Sequence, residues 1–459
     1  MTQTYAPPAP ATSRPWVRPA LLAVPVVWAV VACGVMRPDA LEARAEVPFE
    51  AKTLVYDESD LAAIVLRGAN AHMGRLPGLR DEPPWAETDD IAARLDGPPA
   101  PYSDRYYLEY PTATLPLFRL GYLFEPAGPI VPPAVADAQH YGVAHFVPRS
   151  DDERAVWGRL RTAGQVHVAM MAAALVGLIL VLARGYEPGP RPPAWLAALP
   201  AAVFFSLNRF DVVPTLATAL GFACLGRGRP GWSGAFFAAG VLVKVYPLLF
   251  VPIVLRHLGP GRGAWWLAGF SAVILAGVGI SAATLGWDPT VGPVKVQFSR
   301  PLEEKSWTVY GVILPLALGH SPWGRLGLLA AAVLAAVVTR PAGLDGVLRR
   351  CGAVLTVFVT LAVFWSPQWV VWFLPITVPL AARRRWVAWA AAGLDAANYF
   401  SFPVLFWIVW RRVENGAVLA ALAQGMIFAR AALWLWLAAG LTRDEWRAAR
   451  DRPAAANPG

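Results

Sequence analysis

Four short polar strings interrupt the apolar runs of this chain: Asn208-Arg209-Phe210-Asp211, Lys244-Val245-Tyr246-Pro247, Arg300-Pro301-Leu302-Glu303-Glu304-Lys305-Ser306-Trp307 and Ser366-Pro367-Gln368-Trp369. The cations among them suit an anion. Arg209 and Arg300 can grip phosphate oxygens at two points, and Lys244 adds a compact charge. Asp211, Tyr246, Glu304 and Gln368 could support such a group. Each cation has a plainer reading: Lys244, with no acid nearby in sequence, could snorkel from a helix end, and Arg209 could pair with Asp211 at a turn. Several cations converging on one face favour an anionic ligand.

The elements that must position these residues are membrane helices. The chain has 459 residues, 56% hydrophobic, with 21 Trp and a mean hydropathy of +0.44, which excludes an ordinary water-soluble core. The net charge of +9 does not point to nucleic acid, because it is unevenly placed. From Arg37 to Leu160 there are 20 acids against 12 bases, a net of −8, so the basicity belongs to short loops elsewhere. Cys33, Cys224 and Cys351 all lie in apolar runs and read as buried structural thiols.

Short loops rich in Lys and Arg collect on the cytoplasmic side. Ala20 to Met36 follows Arg14 and Arg18 and reads as a retained signal anchor, since Met36-Arg37-Pro38 lacks a small-x-small cleavage site. The expected organisation is a disordered cytoplasmic N-terminus (1–18), a first transmembrane helix (19–36), an extracytoplasmic loop (37–160), a multi-helix transmembrane domain (161–441) and a cytoplasmic tail (442–459). Further spans are expected near 164–183, 194–207, 211–226, 232–244, 246–257, 264–285, 322–339, 350–366, 368–382, 386–410 and 416–441, about twelve in all with the first. The expected fold is thus an all-α polytopic membrane protein with both termini cytoplasmic, placed in the plasma membrane.

All four strings then emerge on the side of the long loop. Arg411 and Arg412 violate the charge rule, and Arg430 has no evident place. Several spans hold only about 12 to 14 residues, about 20 Å of helix; short helices in pairs leave a recess open to one face. Two stretches of the loop, 60–73 and 112–124, read as amphipathic helices lying on the membrane. Trp365, Trp369 and Trp372 form a helical stripe whose default role is interfacial anchoring. The acid clusters Asp89-Asp90 and Asp151-Asp152-Glu153 read as solvated and not as metal ligands, and His167 and His320 lie near the external surface. A transport path would spread charge through both halves of the thickness, whereas these charges gather toward one face. A ligand that sits at the bilayer edge, carries phosphate and extends a hydrocarbon tail fits the pattern; polyprenyl phosphate has that form.

The order Arg209-Phe210-Asp211, Lys244-Val245-Tyr246-Pro247, Arg300-Pro301-Leu302 and Ser366-Pro367-Gln368-Trp369 through Trp372-Phe373-Leu374-Pro375 resembles glycosyltransferase family 87 over about residues 50 to 380. The resemblance implies a GT-C-type glycosyltransferase with a long first extracytoplasmic loop. It implies an α-mannosyltransferase-like transfer of mannose from a polyprenyl-phosphate-linked donor to a glycolipid or glycan hydroxyl, with inversion; another sugar such as arabinofuranose is the alternative, and no metal or cofactor is expected, because the leaving group is a monoester phosphate held by side chains. It further implies a catalytic Asp in the first loop, here Asp60 in Asp60-Leu61-Ala62-Ala63-Ile64, with Asp57 as the rival. Glu109-Tyr110-Pro111-Thr112 stands where the family has Tyr-Pro-Pro, and Lys305 replaces the usual Glu in the Arg-Pro-Leu stretch. Chemistry independent of the family needs the same parts. A carboxylate takes the hydroxyl proton, and Lys244, Arg209 and Arg300 hold the departing lipid phosphate, with His320 as a supporting group. The rival class is a polytopic transporter or a flippase for lipid-linked sugars.

Overall fold

The computed structural model describes residues 17–35, 54, 111, 113–123, 151–287, 290–292, 322–362, 365–409 and 416–450. Every regular element among them is helical. In chain order they are α1 (Val17–Val35), α2 (Thr114–Arg119) with the 3-10 turn Leu120–Tyr122, and α3 (Asp151–Arg184). The 3-10 turn Ala194–Ala198 leads into α4 (Pro200–Asn208), followed by α5 (Val212–Gly226) and α6 (Pro230–Val243). The 3-10 helix Tyr246–Phe250 precedes α7 (Val251–Leu258), α8 (Pro260–Leu285), α9 (Pro322–Val337) and α10 (Gly343–Leu361). The series closes with α11 (Trp369–Ala381), α12 (Arg385–Tyr399), the π-helical run Phe400–Val409 and α13 (Gly416–Arg450).

Three of these are long and apolar enough to cross a membrane: 161–184 within α3, all of α8, and 416–447 within α13. On α8, Trp265, Leu275 and Ile280 are exposed, a surface suited to lipid and not to water. Beside the long helices stand short apolar ones, among them α5, α6 and α11. Proline opens many of them: Pro200, Pro230 and Pro260 each occupy the first turn, where the missing N–H costs nothing. Between α7 and α8, Gly259 takes φ 72°, a left-handed turn that a side chain would strain. Helices α6 and α8 meet through glycine: a Cβ on Gly234 would lie 2.0 Å from the Trp266 carbonyl oxygen, and one on Gly269 2.1 Å from that of Gly231. Such backbone approach is how helices pack where lipid supplies no hydrophobic drive.

Several boundaries differ from the sequence reading. The stretch 194–207 is not one span. Pro200 starts a new helix and forces Leu199 into an extended conformation, φ −72° and ψ 157°. The carboxylate of buried Asp395 on α12 then accepts from the freed Ala201 and Ala202 N–H groups at 3.0 and 2.7 Å. Helix α3 begins at Asp151, so the acid cluster 151–153 opens a helix, while the stretch apolar enough to cross a membrane begins at Arg161. Likewise α1 begins at Val17 and α13 runs on to Arg450. The thiols are less deeply placed than expected, with Cys351 buried but Cys33 and Cys224 only partly so; all three are free.

One end of the bundle is an ionic cluster. Arg384, in the turn before α12, forks onto Asp345 at 2.7 and 2.9 Å and also meets Asp444 at 2.9 Å. Arg349 reaches Glu445 at 2.7 Å. Buried Arg350 reaches the same Glu445 at 3.0 and 2.7 Å, and donates to the Ala336 carbonyl at 2.7 Å and to Thr339. The basic residues Arg349, Arg350 and Arg384 therefore meet the acids of α10 and of the end of α13 in one place. Arg350→Lys keeps the charge but loses the fork, and is expected to lower the melting midpoint in detergent by several degrees, about 2–3 kcal/mol. Arg383→Lys, at a side chain 45% exposed and 4.0 Å from Asp345, should leave it unchanged. Tryptophan-fluorescence melts of the two variants check this; equal midpoints would make the cluster energetically idle.

Candidate functional site

The opposite end is assembled where α4 and α6 stop and α5 and α11 start. Helix α4 ends at Asn208, and Arg209 turns extended at φ −125° and ψ −176°. Asp211 then sits at the N-cap of α5. An aspartate there ordinarily caps its own helix, but Asp211 makes no such bond and its carboxylate turns elsewhere. Helix α6 ends at Lys244, extended at φ −154° and ψ 131°, and Pro247 starts the next 3-10 turn. The first turn of α11 supplies Trp372.

These ends converge on one carboxylate oxygen. Asp211 is fully buried, and its Oδ1 accepts from Lys244 Nζ at 2.8 Å and from Trp372 Nε1 at 2.6 Å. The ammonium also lies 4.9 Å from the Phe210 ring centre and 5.3 Å from that of Trp372. Tyr246 stacks on Trp372 at 4.4 Å and 6° between planes, and its hydroxyl lies 3.2 Å from Thr218 Oγ1 and 3.4 Å from Thr215 Oγ1. A cation between two aromatic faces, bonded to a carboxylate and left 14% exposed, is a built site. Gln368, one turn before Trp372, is buried beside it in sequence.

This arrangement corrects two sequence readings. Lys244 does not snorkel, because it turns inward to an acid 33 residues upstream. Asp211 pairs with Lys244 and not with Arg209, which stays half-buried at the turn. The tryptophan stripe is not a lipid anchor either: Trp369 and Trp372 are buried, and Trp365 lies under the Arg430 guanidinium at 3.6 Å. That stack gives Arg430 its place. His167, expected near the surface, is buried on α3 close to the Arg209 backbone. The indole donor of Trp372 and the Arg430 stack went unforeseen, although the Trp spacing of four and three was their signal.

The site lies below the end of α3. His167 stands 17 residues from Arg184, about 25 Å along the helix axis, and α3 continues as far again beyond it. Over this recess lies part of the long loop. Phe118 of α2 meets Phe210 edge to face at 5.2 Å, and Leu54 gives its carbonyl to the Tyr399 hydroxyl at 2.7 Å. Tyr399 ends α12, whose other end is the ionic cluster, so the loop returns to the same end as Lys244.

Asp60, Asp57, Glu109, Tyr110, Arg300, Glu304 and His320 lie outside the described residues, as does the helix expected at 60–73. Chain length alone still keeps Asp57 within about 10 Å and Asp60 within about 21 Å of Leu54. Of the four polar strings, the structure brings three together; the fourth, 300–307, is among the residues not described. Compared with family models, with curated proteins and with solved structures, the chain finds no match.

Proposed function

We propose that this chain is an integral membrane glycosyltransferase of GT-C type that moves a sugar, mannose in the first instance, from a polyprenyl phosphate to an external hydroxyl. The observation that carries the reading is the Lys244–Asp211–Trp372 cluster, recessed among short helices at the end to which the acidic loop returns. In this reading about twelve spans cross the plasma membrane, both termini are cytoplasmic, and the ionic cluster marks the cytoplasmic face.

The chemistry follows from the parts. A carboxylate of the loop, Asp60 with Asp57 as the alternative, takes the proton of the acceptor hydroxyl, and the oxygen attacks the anomeric carbon. The bond from that carbon to the phosphate oxygen breaks with inversion, and the lipid phosphate leaves with the electron pair. Lys244, with Arg209 and Arg300, receives the phosphate. Lys244 comes to this task held in place by Asp211 and two rings, which costs it net charge but fixes its direction. Asp211, Tyr246 and Gln368 support that geometry, while Glu109, Tyr110, Glu304 and His320 are assigned to the loop side. The acceptor is a glycolipid or glycan.

The direct test incubates purified protein in nanodiscs with labelled polyprenyl-phosphate-mannose and a panel of glycolipid acceptors. Transfer of label to an acceptor is the expected result. Failure with mannose but success with the arabinofuranose donor would change the sugar and keep the class; failure with both would remove the reading.

A further inference from the structure

Two buried acceptor atoms, one on Asp211 and one on Gln368, find no donor among the described residues. Asp211 uses Oδ1 for Lys244 and Trp372, while its Oδ2 has no donor among the described residues. Gln368 is 3% exposed, and its Oε1 is likewise without a donor. The two belong to one place. Gln368 is the N-cap of α11 and precedes Trp372 by four residues, which sets both side chains on the same helix face, one turn apart. The Trp372 indole in turn touches Asp211 at 2.6 Å.

Buried polar atoms almost always find partners, because an unmet acceptor keeps the whole cost of its desolvation. Two such atoms, one on Gln368 and one on the acid that Trp372 touches a turn further along, point to a ligand that brings the donors. What the ligand carries there can be narrowed by chemistry. A phosphate ester or a prenyl chain has no donors to give. An ammonium group would be repelled by Lys244, whose Nζ already lies 2.8 Å from the other oxygen of Asp211. Neutral hydroxyl groups meet both conditions, and a sugar presents them in adjacent pairs. The Lys244 side chain, 14% exposed beside the fully buried Asp211, marks the side from which this place is open.

We propose that Asp211 Oδ2 and Gln368 Oε1 form a carbohydrate subsite that accepts hydrogen bonds from two hydroxyls of the donor sugar, with Lys244 at the border between sugar and phosphate. The proposal rests on the transfer reading and adds to it a place for the sugar ring. It makes Gln368 a residue that distinguishes a glycosylated lipid from a bare one.

The test titrates the full chain in nanodiscs with polyprenyl-phosphate-mannose and with unglycosylated polyprenyl phosphate, following quenching of tryptophan fluorescence. Wild type is expected to bind the glycosylated lipid at least about 10-fold more tightly, and Gln368→Met to reduce that preference to within about 2-fold, with the larger loss falling on the glycosylated lipid. Without lipid, the Gln368→Met protein should melt at or above wild type, since an unmet acceptor has been replaced by an apolar group of similar shape. A melt well below wild type would mean that Oε1 is satisfied in the folded protein, and would overturn the subsite. So would equal affinities in wild type, the result expected if water alone occupies the place. Product formation by wild type together with an undiminished preference in Gln368→Met would sink the subsite and leave the transfer reading standing. Preferential binding without product would do the reverse, and wild type that binds neither lipid would remove both.

Discussion

Asp211→Ala is expected to cost about 3–5 kcal/mol of stability, the largest loss from any single truncation at this end of the bundle. The reason lies in what stays behind. Lys244 Nζ would lose the carboxylate at 2.8 Å, and the Trp372 N–H its acceptor at 2.6 Å, in a recess that leaves the lysine 14% exposed. The rings of Phe210 and Trp372, at 4.9 and 5.3 Å from the ammonium, can stabilise it by about 1–2 kcal/mol and cannot replace the acid. Lys244→Met should cost less, because Asp211 Oδ1 keeps the indole donor. The double variant Asp211→Leu with Lys244→Met removes both charges and is expected to regain most of the loss. Thermal melts in nanodiscs would measure the cycle: the two single losses should exceed the double loss by about 2 kcal/mol or more. Additive losses would mean that the pair is not coupled and that Lys244 is satisfied by other groups. The refolded double variant also separates structure from function, since a stable protein unable to bind lipid phosphate assigns Lys244 to the ligand and not to packing.

How far the sequence disclosed this site depends on the kind of signal. That Lys244 and Asp211 come to one end was readable, because each interrupts an apolar run and charge placement alternates the ends; Trp372 read only as part of an interfacial stripe. Who pairs with whom was not readable: Lys244 and Asp211 are 33 residues apart, and their contact exists only because α5 and α6 pack side by side with glycines against aromatic rings, as at Gly221 beside Phe237. Spacing alone favoured the local pair Arg209 and Asp211, which the extended backbone at Arg209 breaks. The break at Leu199 was legible as a proline, yet its consequence needed Asp395, almost 200 residues away, to satisfy the two N–H groups. Arg430 looked misplaced because a partner ring is invisible in one dimension. Helix ends were misjudged for a different reason, since α3 and α13 continue beyond their apolar windows on charged turns that composition assigns to loops.

Asp60→Asn is expected to reduce transfer from polyprenyl-phosphate-mannose by about 10³-fold or more while leaving donor binding intact. The amide matches the carboxylate in shape but cannot take the acceptor proton, so the loss should fall on the chemical step and not on affinity. Single-turnover measurements with labelled donor separate the two. The wild-type rate should rise with pH through the carboxylate's titration and then level off, because only the deprotonated form works as a base; the residual rate of Asp60→Asn should lack that rise. Asp57→Asn is the paired control, since both acids lie a short chain length from Leu54, whose carbonyl is tied to Tyr399 at the end where Lys244 lies. Loss confined to Asp57→Asn would move the base by three residues and preserve the mechanism. If both variants kept the full rate, neither Asp57 nor Asp60 would be the base, and the acceptor proton would have to go to another group.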